Sequence, residues 1–304
     1  MRILKNICSR NGMYWFLNYM FIATRSLKLF PVTWQLKVEY RCTTGKDLNL
    51  KDPKGFNEKL SWRKLYDHNP LYSMMVDKYE AKSIAAKLIG EEYIVPCYGV
   101  WNNFDEIDLK KLPNQFILKC THDSSGIVIC RNKNNFDKNS AKKIIDRSLK
   151  RNYYHLGFEW PYKDASHRVI ADQLLVDDSR KELQDYKWWC FNGEPKVMYI
   201  TNKGKLEQCE ENFYDMEFRP LDINHGFPRT VPEYEKPKQF EKMKELAGIL
   251  SQKIPFIRID FFVVNDKIYF GEFTFFDHAG LRPFTENGWD EKLGSWIELQ
   301  KKML

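Results

Sequence analysis

Two carboxylates near the C-terminal end of the chain stand where carboxylates cost most. Glu272 is the one ionisable residue before Asp277 in the aromatic strand-like run "YFGEFTFFDHAG" (269 to 280), and Asp260 lies inside "FIRIDFFV" (256 to 263). A turn at Asn265-Asp266 would fold the second run back beside the first and make the two acids cross-strand neighbours. They stand five and six residues from that turn, so strand register decides whether they face each other. Paired carboxylates in apolar surroundings repel and call for a compensating cation. Magnesium supplies one, because it binds carboxylate oxygens and bridges phosphates. Arg258, two residues before Asp260 and on the same face, adds a charge that suits a phosphate or an ion pair. Strict alternation places Tyr269, Gly271, Phe273 and Phe275 on one face, with Phe270, Glu272 and Thr274 on the other.

Other charged residues fit an anionic ligand. Lys119 ends the apolar strand "QFILKC" directly before the loop "THDSSG", where Ser124, Ser125 and Gly126 offer hydroxyls and backbone N–H groups. Lys78 in "VDKYEAK" stands near the start of a helix. Taken singly, these lysines also suit a solvated surface. No Walker motif occurs anywhere in the chain.

Three zones must position these residues. Residues 1–75 are helical and aromatic, with Phe56, Leu60, Trp62, Leu65 and Tyr66 near helical spacing before Pro70. Residues 76–175 mix a helix closed at Gly90, a strand "YIVPCYGVW", two β-rich runs around "THDSSG", a helix capped at Asn139 or Ser140, and a strand "HRVIADQLLV". Residues 176–304 open with a hairpin signal at Asn192-Gly193, followed by a helix over 237–253, the Asn265-Asp266 hairpin and a helix over 288–303. The expected class is α+β.

At 304 residues, 43% hydrophobic and 15% aromatic, the chain can bury a large core. Its net charge of +7 favours anionic ligands, but no basic block with interleaved aromatics points to nucleic acid. Seven cysteines without C-x-x-C spacing read as reduced thiols. The apolar stretch 12–30 is interrupted by Asn18 and Arg25, short of the roughly 20 apolar residues of a membrane span. It reads as a core helix that could also lie on a membrane surface, which sets the expected location as cytoplasmic, or at the inner face of the cell membrane.

In the order "VDKYEAK", "FILKC", "IADQLLV", "DYKWWCFNGEPK" and "RIDFFVVNDKIYFGEFTFF", the chain resembles the ATP-grasp superfamily over about residues 55 to 300. "FNEKLSWRKLYDHNPLY", "KLPNQFILKC" and "NFYD" resemble its TupA-like branch, associated with surface polysaccharide synthesis. The resemblance implies an ATP-grasp fold, two α+β lobes clamping ATP behind a helical N-terminal extension (1–75). One lobe spans 76–175, including the lid, and the other spans 176–304 and carries the metal. It implies Lys78 and Lys119 as phosphate ligands and Asp172, Gln173, Leu174 and Leu175 as the adenine hinge. Asp177 or Asp178 would hold the ribose, and Lys187 the nucleotide. Asp260, Glu272 and Thr274 would hold Mg2+, with Thr274 where asparagine is usual. The phosphate loop departs from the glycine-rich pattern in having Asp123, Ser124 and Ser125, and "DHAG" departs after the metal strand.

The implied activity is ATP-dependent carboxylate–amine ligation through an acyl phosphate, with a uronic acid as a candidate carboxylate. Arg258 would face the phosphate, Arg282 the substrate carboxylate, and His278 the proton of the incoming amine. Other enzymes of polysaccharide synthesis are candidate partners. Two further readings stand beside it: a metal-dependent glycosyltransferase with Asp177-Asp178 on the metal, and a non-catalytic ATP-grasp module.

Overall fold

The computed structural model describes residues 30–178, 183–202, 210–229, 234–285 and 288–299. The apolar stretch 12–30 lies outside them except for Phe30. Among the described residues, no helix is long and apolar enough to cross a membrane.

In chain order the helices are α1 (Val32–Thr44), α2 (Phe56–Tyr66), α3 (Leu71–Val76), α4 (Glu80–Ile89), α5 (Lys138–Leu149), α6 (Tyr154–Gly157), α7 (Phe240–Leu250) and α8 (Trp289–Ser295). The strands are β1 (Cys97–Trp101), β2 (Phe116–Cys120), β3 (Ile127–Cys130), β4 (Val169–Asp172), β5 (Asp185–Phe191), β6 (Glu194–Asn202), β7 (Glu210–Tyr214), β8 (Phe256–Val264) and β9 (Lys267–Thr274). They form two antiparallel sheets, β1-β4-β2-β3 and β7-β6-β5-β8-β9. The α+β expectation holds.

Several boundaries differ from the sequence reading for local reasons. The cap of α5 is Asp137, whose carboxylate accepts from the Ser140 N–H; Asn139 and Ser140 lie inside the first turn. Strand pairing in β4 ends at Asp172, so Gln173 to Val176 leave the sheet. The helix expected over 237–253 is confined to α7, and that over 288–303 to α8 within the described residues.

Alternate side chains of the five-stranded sheet separate two environments. One face buries Trp188, Met198, Ile200, Ile257, Ile259, Phe261 and Phe273 in a core shared with α7 and α4. Phe56 of α2 packs on the opposite face, stacked on Trp189 and against Phe191 and Phe256. The other face carries Lys187, Tyr199, Arg258, Asp260, Glu272 and Thr274.

The turn at 265–266 is a two-residue loop with both central residues at positive φ, Asn265 at 49° and Asp266 at 62°. That geometry matches the twist of the flanking strands. The unequal count from the turn to the two acids is absorbed by a bulge at Gly271, so Asp260 pairs with Glu272 while Phe261 pairs with Phe270. The bulge corrects the alternation reading, because Phe270 lies on the core side against Phe273 and not with Glu272. Glycine suits the bulge, since a Cβ there would meet the Asp260 carbonyl oxygen at 3.0 Å and the Asp260 Cβ at 3.3 Å.

Candidate active site

Register builds the first half of the site. Lys187 on β5, Asp260 on β8 and Glu272 on β9 form one row across three strands, and Arg258 pairs with Thr274 in the next. Arg258 donates to Asp260 through two bonds, Nε to Oδ1 at 2.6 Å and Nη2 to Oδ2 at 2.8 Å. It also donates to Glu272 Oε1 at 3.1 Å and, through Nη1, to Asp277 Oδ1. Lys187 Nζ donates to Asp260 Oδ2 at 2.6 Å. Thr274 Oγ1 lies 3.5 Å from Glu272 Oε1. Asp260 is therefore a buried acid clamped by two cations, whereas the Glu272 side chain is 42% exposed and opens the pair to ligand.

Burial works against the charge of both Lys187 and Arg258, yet the Asp260 carboxylate and its neighbours hold both cations protonated above their ordinary values. Burial also opposes the ionised form of Asp277, but His278 and Arg258 hold it well below the usual carboxylate range.

The turn after β9 is held from the N-terminal side. His278 and Ala279 adopt left-handed φ values of 44° and 55°, which cost of order 1 kcal/mol each without glycine. Lys64 on α2 donates to Ala279 O at 2.6 Å, and Asn57 to Arg282 O at 2.8 Å. The α2 helix thus fixes a strained segment beside the carboxylates. His278 Nε2 meets Arg282 Nη1 at 3.0 Å. Burial, with Arg282 and Arg258 nearby, pushes the His278 imidazole down to about 4. That neutral ring is a hydrogen-bond acceptor but a weak base, which counts against its expected role of taking a proton from an ammonium.

The four-stranded sheet supplies the second half. Lys119 Nζ donates to Asp172 Oδ2 at 3.2 Å, and Lys82 Nζ lies 3.2 Å from Asp172 Oδ1. Lys78 Nζ donates to the Asp123 carbonyl at 2.9 Å, and Lys78 N to Thr121 O at 3.0 Å, so this lysine meets the loop at its start. The loop residues separate by role. Ser124 and Ser125 are exposed, while Gly126 is buried where a Cβ would meet Ser148 Oγ at 2.3 Å and Cys120 Sγ at 2.7 Å. Gly126 is needed for packing and is not an open anion cradle. Asp123 points inward, accepting from Ser148 Oγ at 2.6 Å and from Ser125 N at 3.0 Å. Despite burial, those bonds hold its carboxyl below the ordinary value. Asp123 therefore keeps its charge, which these donors hold turned inward.

The hinge segment is partly free of the sheet. Gln173 N donates to Pro96 O at 2.9 Å, and Leu174 and Leu175 follow in irregular, partly buried chain. Asp177 and Asp178 engage the β8–β9 turn: Asn265 N donates to Asp177 Oδ2 at 3.4 Å and Asn265 Nδ2 to Asp178 Oδ2 at 3.1 Å. The Tyr153 hydroxyl lies 3.5 Å from Ser124 Oγ.

Sequence reading missed Lys82, Glu159, Glu211, His225 and Asp277. Lys82 carried a signal, standing one helical turn after Lys78 in "VDKYEAK". The others come from loops and a short strand, with no local pattern pointing inward.

Glu159 gives a test of this buried network. Burial raises its carboxyl to about 7, with Lys64 and Arg258 pulling down and Asp277 and Glu272 pushing up. The unfolded chain loses that proton near 4.5, the ordinary value, so between 4.5 and 7 the folded state binds more protons and stability falls as pH rises. Glu159→Gln removes the effect. Its melting temperature should gain on the parent chain across that window, by the equivalent of roughly 3 kcal/mol. Parallel melting curves for the two proteins would remove the assignment.

Two antiparallel sheets, the lysine-bearing strand and loop on one and the Arg258-Asp260-Glu272 row on the other, define a protein of the ATP-grasp class. The family model for TupA-like ATPgrasp matches residues 58–298, and the chain belongs to that family. No curated protein matches it.

Solved structures with a distant likeness include the D-alanine–D-alanine ligase of Helicobacter pylori, at 14% identity and TM-score 0.42 over 80% of this chain and 69% of that one. The D-alanine–D-alanine ligase of Bacillus anthracis complexed with ATP shows 14% identity and TM-score 0.40 over 67% and 55%. The ATP-grasp ligase PsnB complexed with minimal precursor, Mg and ADP shows 10% and 0.38 over 72% and 57%. The chain spans little more than half the length of the last two.

Proposed function

We propose that the protein is an ATP-dependent, ADP-forming carboxylate–amine ligase that acts through an acyl phosphate, with a uronic acid or similar carboxylate of surface polysaccharide synthesis as substrate. One observation carries the reading: Asp260 and Glu272 face each other in register, with Arg258 and Lys187 bonded to them, in a chain of this family.

The donor set fits magnesium, because two carboxylates and the Thr274 hydroxyl offer hard oxygens only, and Glu272 is open to ligand. Bound there, the metal would supply charge neutralisation at the phosphoryl oxygens. Lys78 and Lys119, from the lobe assigned to 76–175, hold phosphates, and Ser124 and Ser125 add hydroxyls. Lys119 exchanges its bond with Asp172 for the ligand, while Lys82 remains to balance that acid. Backbone groups from Asp172 to Leu175 read the adenine, and Asp177 the ribose. In the lobe assigned to 176–304, Lys187 and Arg258 keep Asp260 oriented and offset the repulsion between the acids. Arg282, a quarter exposed, faces the substrate carboxylate. The protein's contribution is positioning and electrostatics.

Incubation with ATP, Mg2+, a uronic acid and a panel of amines should release ADP only when carboxylate and amine are both present. Turnover of a nucleotide sugar would favour the glycosyltransferase, and absence of nucleotide binding by calorimetry would favour a non-catalytic module. Either outcome sinks the ligase reading.

A further inference from the structure

Glu211 on β7, His225 in the loop after it and His278 in the turn after β9 bring one ligand atom each within 4.8 Å of one another. His225 Nε2 lies 3.1 Å from the Arg282 carbonyl oxygen. A carbonyl only accepts, so Nε2 carries the hydrogen and Nδ1 presents a lone pair. Nδ1 has no hydrogen-bond partner, and neither have Glu211 Oε2 and Asp277 Oδ2. The last lies 3.8 Å from Nδ1. His225, Glu211 and Asp277 are at most 2% exposed, so water does not satisfy these atoms from outside. Three buried polar atoms are thus left without a hydrogen-bond partner, an arrangement that costs free energy unless a cation or proton enters.

We propose that Glu211, His225 and His278 bind a divalent transition cation of the zinc type, at a site separate from the Asp260–Glu272 pair. Two imidazoles and a carboxylate are borderline N/O donors that suit zinc and do not suit magnesium. The bond from the remote nitrogen of His225 to a backbone carbonyl is the usual support of a metal-bound histidine, fixing both tautomer and ring. Asp277 joins the two centres without being shared as a ligand, since its Oδ1 takes Arg258 and the Tyr199 hydroxyl. Arg282 Nη1, 3.0 Å from His278 Nε2 and 3.8 Å from Glu211 Oε1, competes for the same acceptors. Its guanidinium is a quarter exposed and lies over Phe227, so it can withdraw without leaving a buried charge.

The inference does not depend on the ligase reading. Full-length protein stripped with chelator is titrated with Zn2+ against a chromophoric competitor, and Co2+ loading is followed by visible absorption. One equivalent of Zn2+ should bind, unaffected by millimolar Mg2+, and Co2+ should give the bands of a low-coordinate N/O site. His225→Gln and Glu211→Gln, checked for folding by circular dichroism, should each weaken Zn2+ by about 100-fold or more. Asp260→Asn should leave Zn2+ affinity unchanged, and Arg282→Ala should tighten it. No stoichiometric Zn2+ in the parent chain overturns the proposal, as does Zn2+ binding that survives both Gln substitutions. Loss of Zn2+ in Asp260→Asn with retention in His225→Gln would place the metal at the other site and overturn it as well.

Discussion

Glu272→Gln is expected to lower the proposed ligase turnover by about 100- to 1,000-fold while leaving the fold intact. The substitution keeps the shape of the side chain and removes its charge. Because that side chain is 42% exposed and shares Arg258 with two other acids, the change leaves no buried group unpaired. Melting should therefore move by no more than about 2 °C, corresponding to less than about 1 kcal/mol. A second readout is independent of substrate: calorimetric affinity for ATP should depend on Mg2+ in the parent chain and lose most of that dependence in the variant. Turnover within threefold of the parent, or an unchanged Mg2+ dependence, would remove Glu272 from the proposed metal site.

Arg258→Met should act in the opposite sense, on stability first. Arg258 is the shared partner of Asp260, Glu272 and Asp277, and the first and last of these are buried. Lys187 still serves Asp260 after the change, but of the hydrogen bonds to Asp277 only that from the Tyr199 hydroxyl would remain. Breaking a buried ion pair from one side costs about 3–5 kcal/mol, because the remaining charge is left in low dielectric. Melting should fall by on the order of 10 °C. Arg258→Lys should recover only part of this, since an ammonium cannot span three carboxylates with a planar fork. A loss below about 1 kcal/mol for the methionine variant would show that the acids find other partners and that the network is dispensable.

The elements of the site were legible wherever local chemistry specifies them. Asn265-Asp266 and Asn192-Gly193 announce two-residue hairpins because the backbone there needs positive φ, and both hairpins form. Glu272 and Asp260 stood out because an acid within an aromatic strand demands compensation. The family pattern then joined Lys78, Lys119 and these acids into one expected site, and the family match covers the same stretch of chain.

Three features lay beyond local reading. Gly271 absorbs the odd residue between turn and acids, and no propensity distinguishes a bulge glycine from any other glycine in a strand. The inward turn of Asp123 depends on Ser148, which comes from a helix 25 residues away in sequence. The cluster of Glu211, His225 and His278 draws on three segments whose spacing carries no period.

By itself, then, the sequence determined the family, the α+β class, both hairpins and the identity of the paired carboxylates, since each follows from residue type over a short span. The facing of Asp260 and Glu272, the three-way role of Arg258, the clamp of Lys82 and Lys119 on Asp172, and the histidine cluster were decided only by tertiary structure. Register, bulges and packing between distant segments set those contacts, and their energies depend on burial that no local stretch of the chain specifies.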